Sequence, residues 1–159
     1  MYEVAEDLRR AVAEAVPLLL EIPEGEAARR AAEGKWSAKE VVGHLIDSAS
    51  NNHQRFVRAR LRDDLVFEGY EQEEWVRLQD YGSEPWPLLV RLWEAYNLHL
   101  AHVMERTPED ARLARRVRHN FQQIGWAPVG EHEPQTLEHL MRDYVGHLKN
   151  HLRQILGAG

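Results

Sequence analysis

Two histidines four residues apart are the strongest chemical signal in this sequence. His147 and His151 lie near the C-terminal end, separated by three residues. Residues four apart on an α-helix lie one above the other on the same face, so two such imidazoles can bind one metal ion. Leu140 and Tyr144 precede them at intervals typical of a seam that faces a partner helix. The pair therefore predicts a metal site, with hydrogen-bonded core or rim histidines as the alternative.

A third ligand has to come from another part of the chain, and His44 is the best candidate. It lies two turns after a helix start, in line with Val41, Ser48 and Asn51 on the flank of an apolar stripe. An early helix packed beside the last one would bring it toward the pair. From this helix alone, a surface histidine beside Gly43 is an equal alternative.

Asp143 is the candidate catalytic residue. It stands four residues before His147, so it shares the face of the helix that carries the pair and could orient an imidazole or accept a proton. An exposed helix acid that pairs with Arg142 is the alternative interpretation. Asp47, three residues after His44, is similarly placed but less well aimed.

The composition excludes several other kinds of chemistry. The 159 residues include nine histidines and no cysteine, so the chain has no thiol nucleophile, no thiolate metal ligand and no disulfide. A net charge of −6 argues against a nucleic-acid-binding protein that works by neutralising phosphates. The longest apolar run is too short to span a membrane, and the acidic start of the chain is unlike a secretion signal. We therefore expect a cytoplasmic protein.

Four stretches of helical periodicity must position these residues. Apolar residues recur at helical spacing over residues 2–20, 37–62, 83–106 and 136–156. Ser37 and Glu40 form a capping box at the start of the second stretch, and Pro17 should bend or end the first. Gly157 stands where a C-terminal cap is expected. The pattern predicts one all-α domain over residues 1–159, a four-helix bundle with two long connecting loops.

The connections are the irregular parts of the chain. We expect a short helical piece within residues 21–35, a short helix at 71–79 and a short extended piece at 113–121. Long loops are usually functional, so Tyr70 and Trp75 are candidates for lining a substrate pocket, whereas His99 on the third helix is interpreted as structural. A basic cluster in the last loop is interpreted as solvated or as a site for an acidic substrate tail. This cluster consists of Arg112, Arg115, Arg116 and Arg118.

Two segments resemble the signatures of a known family. Residues 36–48 read Trp-Ser-Ala-Lys-Glu-Val-Val-Gly-His-Leu-Ile-Asp-Ser, and residues 52–56 read Asn-His-Gln-Arg-Phe. Together they are similar to the second helix of the DinB-like family. Residues 144–155, which read Tyr-Val-Gly-His-Leu-Lys-Asn-His-Leu-Arg-Gln-Ile, resemble its last helix. The segments between fit in spacing and character, so the similarity spans nearly the whole chain.

The resemblance implies a fold and a set of ligands. It implies an up-down-down-up four-helix bundle and a divalent ion held by three histidines, which map here onto His44, His147 and His151. Zinc and nickel both suit imidazole ligands. The resemblance also implies a homodimer, and a role similar to that of transferases and isomerases that use low-molecular-weight thiols.

The chemistry of such a site follows from its charge. Three neutral imidazoles leave the charge of the ion uncompensated, so its open position attracts hydroxide or a substrate thiolate. Because the chain lacks cysteine, a thiol would have to arrive as a ligand. This chemistry leaves thiol transfer and hydrolysis both open, and the resemblance to the family favours a thiol S-transferase with Asp143 as a candidate base. A metal-dependent hydrolase that activates water and a non-catalytic, stress-related metal-binding module are the alternatives.

Overall fold

A computed structural model describes residues 2–157 as an assembly of helices. Met1, Ala158 and Gly159, which belong to the predicted domain, lie outside the described residues. Within residues 2–157 no strand forms, and extended pairing is limited to isolated bridges between Leu65 and His119 and between Arg116 and Gln135. The long helices are α1 (Glu3–Glu21), α3 (Ala38–Arg58), α5 (Trp86–Glu105) and α8 (Leu137–Leu156). The short ones are α2 (Glu24–Ala27), α4 (Gln72–Gln79), α6 (Glu109–Leu113) and α7 (Phe121–Ile124), with a 3₁₀ turn at Tyr81–Ser83.

Contacts between helix ends show that α1 and α5 are antiparallel. Arg9, near the start of α1, forms an ion pair of 2.7 Å with Glu105 at the end of α5. At the opposite end, the Trp86 indole N–H at the start of α5 donates to the Leu19 carbonyl at the end of α1, over 2.8 Å.

The other two long helices complete the arrangement. Helix α3 runs parallel to α5, because Lys39 at its start donates to the Glu84 carbonyl just before α5. Helix α8 runs antiparallel to α3, since His151 near its end meets His44 near the start of α3. Helix α8 is also parallel to α1, where Lys149 pairs with Asp7. The directions in chain order are up, down, down, up, so the predicted all-α four-helix bundle is confirmed.

Helix starts follow the local signals in the sequence. The Ser37 hydroxyl accepts a hydrogen bond from the Glu40 amide, and the Glu40 carboxylate accepts one from the Ser37 amide, so the predicted capping box forms. Thr136 caps α8 by accepting from the amide of His139. These two caps set where the helices that carry the histidines begin.

Several predicted boundaries differ from the structure. Helix α5 begins at Trp86 rather than at residue 83, because the backbone before Pro85 is extended and residues 81–83 form a separate turn. Helix α3 ends at Arg58, four residues before the predicted end. Helix α1 contains Pro17 in its last turn and ends at Glu21, one residue beyond the predicted end. The expected extended piece at 113–121 is reduced to the two bridges and is followed by α7.

The apolar faces of the long helices form one buried cluster. Leu8, Leu45 and Trp93 are fully enclosed in it, as the helical periodicity predicts. The short segments 59–67 and 119–121 close one side through Leu65 and Phe121, which are also buried. No helix within residues 2–157 has the length and apolar character needed to cross a bilayer.

Candidate metal centre

The three histidines singled out by the sequence meet between α3 and α8. One ring nitrogen from each of His44, His147 and His151 lies within 4.8 Å of the others. The Nε2 atoms of His44 and His147 are 3.2 Å apart. Two nitrogen ligands bound at about 2.0–2.1 Å to one tetrahedral ion would be roughly 3.4 Å apart. The spacing of this pair therefore fits a shared divalent cation.

His44 is held inside the bundle rather than on its surface. Its side chain is 0% exposed, and its ring packs against the Trp36 indole with 5.0 Å between centroids. The Nδ1 atom of His44 is buried without a hydrogen-bond partner among the described residues. The alternative of a surface histidine beside Gly43 is therefore wrong.

Burial keeps two of the imidazoles neutral at pH 7. It lowers the pKa of His44 to about 4, with a smaller contribution from the nearby His151. It lowers the pKa of His147 to about 3, assisted by repulsion from His151 and His44. A neutral imidazole has a free nitrogen lone pair, which is what a metal ion requires. The cluster is therefore ready to bind a cation without first losing protons.

His151 is oriented by a neighbour that the sequence did not single out. Its Nδ1 lies 2.9 Å from Oε1 of Gln154, three residues later on the same helix. Because a side-chain amide oxygen only accepts, Nδ1–H donates and Nε2 keeps its lone pair. Burial lowers the pKa of His151, and this hydrogen bond partly opposes the shift. An i, i+3 relation from a candidate ligand to an amide side chain is the signal that could have identified Gln154.

A close helix contact supports the segment around His44. The ring of Tyr81 lies directly against Gly43, where a Cβ atom would overlap it. The Tyr81 hydroxyl donates to Asp47 Oδ1 over 2.6 Å, and the Gln79 amide donates to the same oxygen over 2.8 Å. Burial raises the pKa of Asp47, and these hydrogen bonds limit the rise. The side chain of Asp47 thus binds residues that precede α5 and not the imidazoles.

Asp143 lies on the same side of α8 as the histidines and holds the loop that faces them. Its two carboxylate oxygens accept the backbone N–H groups of Trp126 and Ala127, each over 2.8 Å. The alternative pairing with Arg142 does not occur, because Arg142 contacts Glu138 instead. A carboxylate offers about four acceptor positions, so these two bonds leave capacity for a further proton or water. The catalytic role of Asp143 stays a prediction.

A cavity of about 250 Å³ opens beside the histidines. Its wall includes His147, His151, Asp143 and Tyr70, and a role of Tyr70 in binding substrate stays a prediction. Trp75 packs on Tyr70 with 5.0 Å between ring centroids but lines an adjoining cavity of about 650 Å³. A small molecule can reach the histidine cluster through the smaller cavity.

The remaining candidates lie elsewhere in the bundle. His99 contacts His53 between α3 and α5, with 5.0 Å between ring centroids, away from the cluster on α3 and α8. The basic residues of the last loop separate into different contacts instead of forming one site. Arg112 pairs with Glu138, Arg116 donates to the Ala59 carbonyl, and Arg118 lies 3.6 Å from Asp64.

Comparisons with known proteins find a family model and several relatives that are similar to this chain. The family model described as the DinB superfamily matches residues 7–155. A protein of Geobacillus thermodenitrificans named "Putative metal-dependent hydrolase" is 27% identical over 124 residues, which are 78% of this chain and 64% of that protein. YfiT of Bacillus subtilis, with the same description in its name, is 27% identical over 77% of this chain and 64% of its own length. A Halalkalibacterium halodurans relative is 30% identical over 52% of this chain and 46% of its own length. The matches thus span about half to two thirds of these relatives.

A solved structure supports the fold. It is described as YfiT from Bacillus subtilis, "a probable metal-dependent hydrolase with an unusual four-helix bundle topology". It superposes with a TM-score of 0.78 over 96% of this chain and 82% of that one, at 18% sequence identity. At this identity the likeness establishes the four-helix architecture.

Proposed function

This chain belongs to the DinB superfamily, and on that premise we propose that it is a metal-dependent hydrolase of small molecules. The observation that carries the proposal is the convergence of His44, His147 and His151, of which His147 and His151 also line a cavity. When bound, a divalent ion supplies a Lewis acid and lowers the pKa of bound water to near 7. Relatives that match this chain are named as metal-dependent hydrolases, which supports the choice of reaction.

The residues of the chain have separate tasks in this proposal. The imidazoles of His44, His147 and His151 bind the ion in their neutral form, and Gln154 holds the ring of His151 in the tautomer that leaves Nε2 free. Asp143 accepts the proton from the attacking water at a carboxylate position not used by Trp126 and Ala127. We propose zinc or nickel as the ion, since both suit a donor set of imidazoles.

Thiol transfer, which the sequence placed first, now ranks second. The names of the matched relatives specify hydrolysis and mention no thiol. The absence of cysteine still requires any thiol to enter as a substrate, and the site chemistry accommodates thiolate as readily as hydroxide. Thiol transfer, the homodimer, the cytoplasmic location and the non-catalytic alternative therefore stay predictions.

Metal analysis of protein purified without a histidine tag tests the ligand set. We expect about one ion per chain, lost in each of His44→Ala, His147→Ala and His151→Ala. The matched control is His102→Ala, because His102 is an exposed histidine on α5 outside the cluster and should keep the ion. Full metal retention in His44→Ala would remove that residue from the site.

Activity separates the reaction classes. The metal-bound protein should hydrolyse a panel of small 4-nitrophenyl esters and anilides without added thiol, and chelation should abolish turnover. Turnover that requires an added small thiol would favour the transferase instead. A protein that binds the ion, gains stability from it and turns over neither panel would be a binding module.

A further inference from the structure

Arg55 is a buried cation without a carboxylate partner. The residue lies on α3 and is 5% exposed. Among the ion pairs within 4.0 Å in the described part of the chain, none includes Arg55. Its Nη2 donates a hydrogen bond to the Glu68 carbonyl oxygen over 3.1 Å. A guanidinium has five N–H donors, so most of its binding capacity is available.

Arg55 lines two cavities, the adjoining one of about 650 Å³ and the one beside the histidines. In the cavity beside the histidines it lies with His147 and His151. Of the residues that line it, Asp143 is the one carboxylate, and both of its oxygens already accept backbone N–H groups. Burying a charge is costly unless it is paired, so this arrangement favours an anion supplied from outside the chain.

Polar residues lie along one face of α3 between the metal centre and Arg55. His44, Ser48, Asn52 and Arg55 follow one another at intervals of four, four and three, which places them on one face. Asn52 satisfies its amide by donating to the Ser48 carbonyl over 2.9 Å. The Cα atoms of His44 and Arg55 are about 16 Å apart along the helix, and the Arg55 side chain leans back toward the start of α3. Because Arg55, His147 and His151 all line one cavity, a single small molecule bound there can contact Arg55 at one end and the histidine cluster at the other.

We propose that Arg55 binds an oxyanion, a carboxylate or a phosphate, carried by the substrate at the end opposite its reactive bond. The statement about the reactive bond rests on the proposed function, whereas anion binding by Arg55 does not. A planar guanidinium pairs with two oxygens of a carboxylate or phosphate at once. The site therefore selects anionic substrates over neutral ones of the same size.

Binding to the metal-free protein tests this inference independently of catalysis. The probes are succinate, inorganic phosphate and the neutral succinamide, each titrated at pH 7.5 while the Arg55 Nε–H resonance is followed by NMR. We expect a saturable shift of this resonance with succinate or with phosphate and no shift with succinamide. Comparison of the succinate and phosphate titrations shows which oxyanion the site binds. Equal shifts with succinamide, or none with either anion, would overturn the inference without requiring any variant.

Variants distinguish a binding role from a structural one. Arg55→Gln should weaken anion binding about tenfold to a hundredfold, and Arg55→Lys should recover part of the loss. Arg60→Gln is the control, because Arg60 is exposed just beyond the same helix. Unchanged anion affinity in a folded Arg55→Gln protein would show that Arg55 only anchors the Glu68 carbonyl.

A pair of esters links the inference to the reaction. With metal bound, the ratio of kcat/KM for 4-nitrophenyl hydrogen succinate to that for 4-nitrophenyl butyrate should exceed one and should fall about tenfold or more in Arg55→Gln. A ratio that the substitution leaves unchanged would contradict the role of Arg55. If neither these esters nor the wider panel of esters and anilides is cleaved, the hydrolase is refuted while the binding result stands.

Discussion

Acid should unfold the metal-free protein steeply, because its buried histidines resist protonation. Burial, with a smaller effect of His151, lowers the folded-state pKa of His44 from 6.5 to about 4. Between those values the unfolded chain binds a proton at this position and the folded chain does not. The free energy of unfolding is therefore at its full value above pH 6.5 and falls as the pH drops toward 4.

The magnitude follows from the two shifts. A difference of one pKa unit corresponds to about 1.4 kcal/mol, so His44 should remove about 3 kcal/mol of stability between pH 6.5 and pH 4. His147, with a pKa lowered to about 3, adds up to a similar amount over that range. Small domains have a total stability of about 5–15 kcal/mol. Acidification would therefore remove much of the free energy of unfolding through these two imidazoles alone.

Urea unfolding followed by circular dichroism measures this loss. The metal-free protein is studied at pH 7.5, 6.5, 5.5 and 4.5 at constant ionic strength. We expect a slope of about 2–3 kcal/mol per pH unit below pH 6.5, since two protons are excluded from the folded state. In His147→Gln one of these groups no longer titrates, and the slope should fall by about 1.4 kcal/mol per pH unit. His132→Gln, an exposed histidine in the last loop, should keep the slope of the unsubstituted protein.

Two results would refute this reasoning. One is a slope smaller than that of a single proton between pH 6.5 and pH 5. The other is an unchanged slope in His147→Gln. Either would mean that the folded protein admits protons to the cluster, so that the imidazoles are less enclosed than the 0% exposure of His44 implies.

Other perturbations test the support around the site. Gly43→Ala places a methyl group inside the ring of Tyr81 and should cost about 1–3 kcal/mol in urea unfolding, whereas Gly25→Ala, where nothing lies within 4 Å, should not show this overpacking penalty. Ser37→Ala removes the capping box of α3 and should cost about 1 kcal/mol in the same assay; no loss would show that the box is redundant. Asp143→Ala frees the amides of Trp126 and Ala127, so their hydrogen exchange should accelerate about tenfold or more, and unchanged exchange would contradict the anchoring role. Zinc or nickel at about 100 times its dissociation constant should stabilise the folded protein by about 2.7 kcal/mol, raising its melting temperature by about 5–10 °C, and should not do so in His44→Ala.

Local patterns in the sequence predicted much of the fold. Helical periodicity and the Ser37 capping box are properties of neighbouring residues, and both appear in the structure as expected. The sequence did not predict the short helices α6 and α7, because they lie in a segment with little apolar periodicity. Tertiary packing, such as the burial of Phe121, determines the backbone conformation there. Helix α5 begins later than predicted for a similar reason. Tyr81 packs on Gly43 and binds Asp47, so the turn that contains it is separate from α5.

The candidate site likewise has one part that local sequence patterns determine and another that depends on tertiary packing. The sequence by itself determined that His147 and His151 share one face, because an i, i+4 relation depends only on the helix that contains them. Only the tertiary structure decided that His44, which is 103 positions away from His147, turns inward and meets the pair. It also decided that Asp143 anchors the loop at Trp126, and that Arg55 is enclosed without a carboxylate. Burial and pairing across the bundle depend on how whole helices pack, and no pattern within one helix contains that information.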